Sequence, residues 1–182
     1  MREVVNAERI RALMRALGRE ATVAGRVYLT GGATAVLHGW RDATVDVDIK
    51  LDEGADALLR AIPGIKERLN LNVELASPDD FIPVKPSWAD DSPFIVQEGR
   101  LAFFHFDLYA QALAKIERGH ALDSRDVAEL IDRRLVEPDA LLAYFRAIEP
   151  ELYRFPAIDP PSFERAVLGA IESARRRAEA IH

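Results

Sequence analysis

The segment VYLTGGATAVLHGWRDATVDVDIKL, Val27 to Leu51, joins two different patterns through a turn. Val27 to Leu29 is a short apolar run that predicts a strand, and it ends in Thr30-Gly31-Gly32. Adjacent glycines carry no Cβ, so the backbone can turn tightly there and come close to a ligand. Ala33 to Leu37 then reads as a short helix of small residues, and Thr44 to Leu51 as a second strand. On that strand Asp46 and Asp48 point to one face, while Val45, Val47 and Ile49 point to the other. Two carboxylates crowded on one face repel each other unless a cation joins them. A hard divalent ion such as Mg²⁺ takes oxygen ligands of this kind and leaves room for phosphates.

Upstream, Asn6 is placed to cap a helix whose Ile10, Leu13, Met14 and Leu17 form one apolar stripe, with Gly18 at its end. Downstream, Gly54 to Ile62 read as a helix broken by Pro63-Gly64. Leu71 to Leu75 alternate as a half-buried strand with Asn72 and Glu74 on its polar face. Ser77-Pro78 has the form of a helix start, and Pro83 to Trp88 that of a loop at the rim of a cleft. Phe94 to Gln97 and Leu101 to Phe106 flank Glu98-Gly99-Arg100 as a hairpin, which completes five strands. From Asp107 onward only helices are expected. In the first of them Leu108, Tyr109, Ala112, Leu113 and Ile116 make the buried side, and Asp107, Gln111 and Lys115 lie opposite. Asp123 takes the place of a cap for the next helix, Pro138 starts another, and Phe163 to Ile181 close the chain as a charged helix. The pattern is α/β (α+β): a mixed five-stranded sheet flanked by helices over residues 1–106, then a helical region over 107–182 packed on it.

A length of 182 residues suits one domain of ordinary size, or a core with a helical appendage. With 49% hydrophobic and 30% charged residues, the chain can bury a real core. Cysteine is missing, so disulfides and thiolate metal sites are excluded, and any metal must be held by carboxylates or histidines. The net charge of −6 argues against a dedicated duplex-binding module, though arginines can still hold a nucleic acid locally. There is no apolar run of membrane-spanning length, and the charged N-terminus lacks a secretory signal. A cytoplasmic protein without a membrane partner is expected. His38 is expected to be structural, and Arg175-Arg176-Arg177 to be a solvated helix end favourable to the helix dipole. Only four of the 24 basic residues are lysines, so each lysine is worth weighing.

Gly31-Gly32 after a strand, followed by Asp46-Val47-Asp48, resembles the signature of the nucleotidyltransferase superfamily with the polymerase-β-like fold. The wording Arg41-x-x-Thr44-x-Asp46-x-Asp48 resembles its bacterial branch of minimal nucleotidyltransferases, which includes abortive-infection and toxin–antitoxin members. The resemblance implies a nucleotidyltransferase sheet and transfer of a nucleoside monophosphate from an NTP such as ATP to an acceptor hydroxyl. Asp46 and Asp48 would hold Mg²⁺ or Mn²⁺, with Glu74 as third metal ligand and catalytic carboxylate, and Asp107 next in line for that role. Thr30, Gly31, Gly32, Arg41, Thr44 and Lys115 would bind the nucleotide: the glycine turn through backbone N–H groups at a helix start, Arg41 and Lys115 through charge. Asp126 would orient Lys115 or act as a base. The acceptor stays open between an RNA end such as tRNA, a protein hydroxyl and a small molecule, and a cognate partner protein fits the toxin–antitoxin likeness. The alternatives are a catalytically weak nucleotide- or partner-binding protein on the same fold and a metal-dependent phosphohydrolase, for which the usual His-Asp clusters are missing.

Overall fold

In the computed structural model, which describes residues 3–180, the Asn6 side chain accepts a 3.0 Å hydrogen bond from the Arg9 N–H and starts α1 (Ala7–Glu20). This satisfies one of the donors that a helix start leaves open. Ile10, Leu13, Met14 and Leu17 are buried along one stripe, as their spacing predicts. Gly18, however, does not end the helix. It lies where α1 meets the backbone of Glu98, whose carbonyl oxygen would stand 2.6 Å from an added Cβ, so the glycine serves a close approach.

Five strands follow: β1 (Gly25–Thr30), β2 (Asp46–Leu51), β3 (Asn72–Leu75), β4 (Phe94–Glu98) and β5 (Leu101–His105), in the sheet order β3-β2-β1-β5-β4. The central β1 runs antiparallel to β2 and parallel to β5, β2 is parallel to β3, and β4 and β5 form the expected hairpin. Val27, Leu29, Val47, Ile49, Val73, Leu101 and Phe103 turn one face of this mixed sheet into the core shared with α1. The alternate positions Thr30, Asp46, Asp48, Asn72 and Glu74 therefore share the other face. α2 (Gly32–His38) follows β1 directly.

Two expectations fail in this part of the chain. Thr44 is not in β2 but forms an isolated antiparallel bridge with Val5, and Val45 lies before the strand and is 60% exposed, apart from the buried Val47 and Ile49 with which it was expected to share a face. The helix expected over Gly54 to Ile62 is a 3₁₀ segment, Glu53–Arg60, capped by Asp52; Pro63 then lies in the first turn of α3 (Ile62–Leu69) instead of breaking a helix. A proline at that place loses no hydrogen bond, because the first N–H groups of a helix have no partner within it.

The chain divides into two compact units. One comprises the residues up to Ser77 with Ser92–Phe106; the other comprises Pro78–Asp91 and the residues from Asp107 onward. The helix start expected at Ser77-Pro78 is only a short 3₁₀ turn, Pro78–Asp80, which opens the second unit. Then come α4 (Leu108–Arg118), α5 (Ala121–Asp132), α6 (Pro138–Ile148), a 3₁₀ segment Glu149–Arg154, and α7 (Pro160–Glu179), which Asp159 caps; the helix end expected at Ile181 falls outside the described residues. α4 packs against α5, α6 and α7, so it is covered on more than one side. Asp107, Gln111 and Lys115, expected on an outward face, are therefore buried, while Tyr109 is only partly buried and stacks on Tyr144. α5 begins at Ala121, which puts Asp123 inside the first turn and not at the cap. Arg175 and Arg177 pair at the surface with Asp139 and Asp132, as a solvated helix end should. Among the described residues no helix is long and apolar enough to cross a membrane.

Candidate functional site

The polar end of the first unit is built by the turn between β1 and α2. Gly31 has φ +61° and ψ −127°, a conformation that an L side chain rarely adopts. The register pairs Thr30 with Asp48, and Asp48 Oδ2 would stand 3.0 Å from a Cβ on Gly31. A Cβ on Gly32 would collide with the Thr44 hydroxyl, with Arg41 Nη1 3.6 Å away. Thr44 is held in place by donating its hydroxyl to the Asp46 carbonyl at 3.0 Å. The sheet register and the paired glycines thus bring Thr30, Gly31, Gly32, Arg41, Thr44 and Asp48 together. Gly31→Ala is expected to cost roughly 1–3 kcal/mol through the backbone conformation alone, read as a lower urea midpoint. An unchanged midpoint would mean that the turn relaxes without strain.

The carboxylates lie on the next two strands. In the parallel register Asp46 faces Asn72, and Asp48 faces Glu74. The Asn72 amide donates to Asp46 Oδ1 at 2.6 Å and to Glu74 Oε1 at 2.8 Å. Asn72, which the alternation places on the polar face, is buried with 4% exposure, while Glu74 on the same face is exposed. The alternation N-V-E predicts that Asn72 and Glu74 share a face, but nothing in it marks Asn72 as the link between two carboxylates. That link depends on the register with β2.

Among the described residues, no group of three or more His, Asp or Glu converges to hold a metal ion by itself. Magnesium commonly takes one or two protein carboxylates and completes its octahedron with water and substrate phosphates. The face offers an all-oxygen donor set in Asp46, Asp48 and Glu74, and beside Asp48 the glycine turn leaves out the Cβ that would fill the space. These residues fit Mg²⁺ or Mn²⁺ in chemistry.

Behind the turn, on the core side, His105 pairs with Leu29 in the β1–β5 register, and its Nδ1 lies 3.1 Å from the Thr34 hydroxyl of α2. Its ring centroid is 4.5 Å from that of His38, which stacks on Trp40 at 5.4 Å. Burial, and secondarily the charge of His38, lower the His105 pKa to about 3, so the ring is neutral near pH 7. His38 is thus part of a packed aromatic cluster, in keeping with a structural role.

Lys115 belongs to the second unit. Its ammonium, on α4, lies 2.6 Å from Asp126 Oδ2 and 3.3 Å from Asp123 Oδ1, both on α5. Arg118 adds a two-pronged contact to Asp123, at 2.6 and 2.8 Å. Burial alone would raise the Asp123 pKa, but the hydrogen bonds and charges of Arg118 and Lys115 outweigh it and hold the carboxyl below its ordinary range. The sequence suggested that Asp126 orients Lys115; Asp123 as a second partner was missed, because its place resembled a cap. Asp107, also in the second unit, caps α4 by accepting from the Tyr109 N–H at 3.0 Å. Burial pushes its pKa up, against hydrogen bonds from the Tyr144 hydroxyl and from the Tyr109 and Ala110 N–H groups.

Compared with protein-family models, curated proteins and solved structures, this chain finds no match. Its function must be read from the chemistry of its own residues.

Proposed function

We propose that this protein is a metal-dependent nucleotidyltransferase on a polymerase-β-like sheet, moving a nucleoside monophosphate from an NTP to an acceptor hydroxyl. The observation that carries the reading is the juxtaposition of the positive-φ Gly31 turn with Asp48, next to Asp46 on the same strand face and with Glu74 in register beside it. A strand, a Cβ-free turn and an adjacent strand with two carboxylates on one face together offer what a triphosphate with its cation needs. Asp46 and Asp48 would hold Mg²⁺ or Mn²⁺, which when bound neutralises triphosphate charge and acidifies a hydroxyl. Backbone N–H groups of the Gly31-Gly32 turn would take phosphate oxygens. α2 is only seven residues long, so these local donors matter more than a helix dipole. Arg41 would offset charge that builds on the leaving pyrophosphate. The acceptor oxygen bonds to the α-phosphorus, the bond from that phosphorus to the bridging oxygen breaks, and pyrophosphate leaves. Glu74, exposed and therefore within reach of an acceptor, would add a third carboxylate to the metal on the acceptor side and take the hydroxyl proton.

Incubation with α-labelled NTPs, Mg²⁺ and either total RNA or cell lysate tests this. Wild type is expected to label RNA, protein or a small molecule, and Asp46→Ala/Asp48→Ala to label nothing. The labelled class would name the acceptor and would test a link to toxin–antitoxin or defence systems. Nucleotide binding with no transfer by wild type would favour the alternative, a nucleotide- or partner-binding protein on the same fold.

A further inference from the structure

We infer that Asn72 is a positioning residue of the acidic face, tying Glu74 to Asp46 so that a long exposed side chain is held as the third carboxylate. This rests on the function proposed above. Glu74 is exposed on a four-residue edge strand and has three side-chain torsions to fix. Asn72 is 4% exposed, so its amide is a fixed donor rather than a mobile one. It spends both hydrogens, one on Asp46 Oδ1 at 2.6 Å and one on Glu74 Oε1 at 2.8 Å. The opposite amide orientation would turn a carbonyl oxygen toward two carboxylates, so the chemistry of the partners decides the assignment. Each carboxylate oxygen has more than one lone pair, and these bonds leave acceptor capacity for a cation. With no cation bound, the same two bonds offset the repulsion between Asp46 and Glu74. Asn72 therefore ties together two carboxylates that belong to different strands and does not ligate the metal itself.

The test measures Mn²⁺ affinity of the full chain by isothermal titration calorimetry, with a non-hydrolysable ATP analogue present. Loss of a residue that orients metal ligands typically weakens affinity about 10- to 100-fold, and Asn72→Ala is expected to fall in that range. Glu74→Ala is expected to lose affinity as well, and Asn72→Ala/Glu74→Ala to lose clearly less than the two single losses multiplied, because both act on the same ligand. Thermal melts without metal confirm that each variant is folded, and Asn72→Ser replaces Asn72→Ala if the latter is not. A merely structural Asn72 would lower the melting temperature and leave Mn²⁺ affinity unchanged. That result, or losses that multiply in full, overturns the inference while the proposed function stands. A wild type that binds no Mn²⁺ overturns both.

Discussion

Replacing Lys115 with methionine is expected to destabilise the second unit by about 3–5 kcal/mol, the usual cost of leaving a buried charge without its partner. The side chains concerned are nearly dry: Lys115 is 8% exposed, Asp123 2% and Asp126 1%. Arg118 would still hold Asp123 with its two hydrogen bonds, so the loss falls chiefly on Asp126, whose 2.6 Å contact with the ammonium disappears. Replacing both members, Lys115→Met with Asp126→Leu, is expected to recover most of the loss, since well-packed apolar groups often match a buried ion pair. Urea denaturation of the three proteins decides it. If the single variant keeps the wild-type midpoint, water reaches the network and the burial argument fails. The double variant also separates two roles for Lys115, because nucleotide affinity can then be measured on a folded protein without the ammonium that the resemblance assigns to the triphosphate.

Stability should fall as the pH drops from 7 to 5, by about 2 kcal/mol from His105 alone. The folded pKa of His105 is lowered to about 3, mainly by burial and then by His38, from an ordinary value near 6.5. Folding therefore favours the neutral ring. The stabilisation is fully present above the unfolded pKa and is lost progressively as the pH falls from about 6.5 towards 3. Asp107 works in the opposite sense: its raised pKa makes folding take up a proton on acidification, so a bare pH profile of wild type mixes the two. His105→Asn isolates the histidine, and its urea midpoint should fall less between pH 7 and pH 5 than that of wild type. Equal falls would show that His105 ionises in the folded state as readily as in the unfolded chain.

What was legible in the sequence was local. Asn6 as a cap, the hairpin around Glu98-Gly99-Arg100, the period-2 runs of the strands and the proline start of α6 follow from backbone preferences and one-dimensional periodicity. The shared face of Asp46 and Asp48 belongs to the same class, because a pleated strand sends alternate side chains to one side. The errors came where neighbours in space override a local signal. Gly18 looked like a helix end but is a contact with Glu98, Pro63 looked like a breaker but opens α3, and Asp123 looked like a cap but is an ion-pair partner.

The same division runs through the candidate site. The glycine turn and the two aspartates could be named from chain order, since strand geometry sets them within a few residues. That Asp48 abuts Gly31, that Asn72 joins Asp46 to Glu74, and that Lys115 is neutralised within its own unit all follow from strand register and helix packing. Register and packing are set by the burial of apolar faces from distant segments. The sequence of the site residues carries their chemistry; their distances come from the core that Val27, Leu29, Val47 and Ile49 build underneath them.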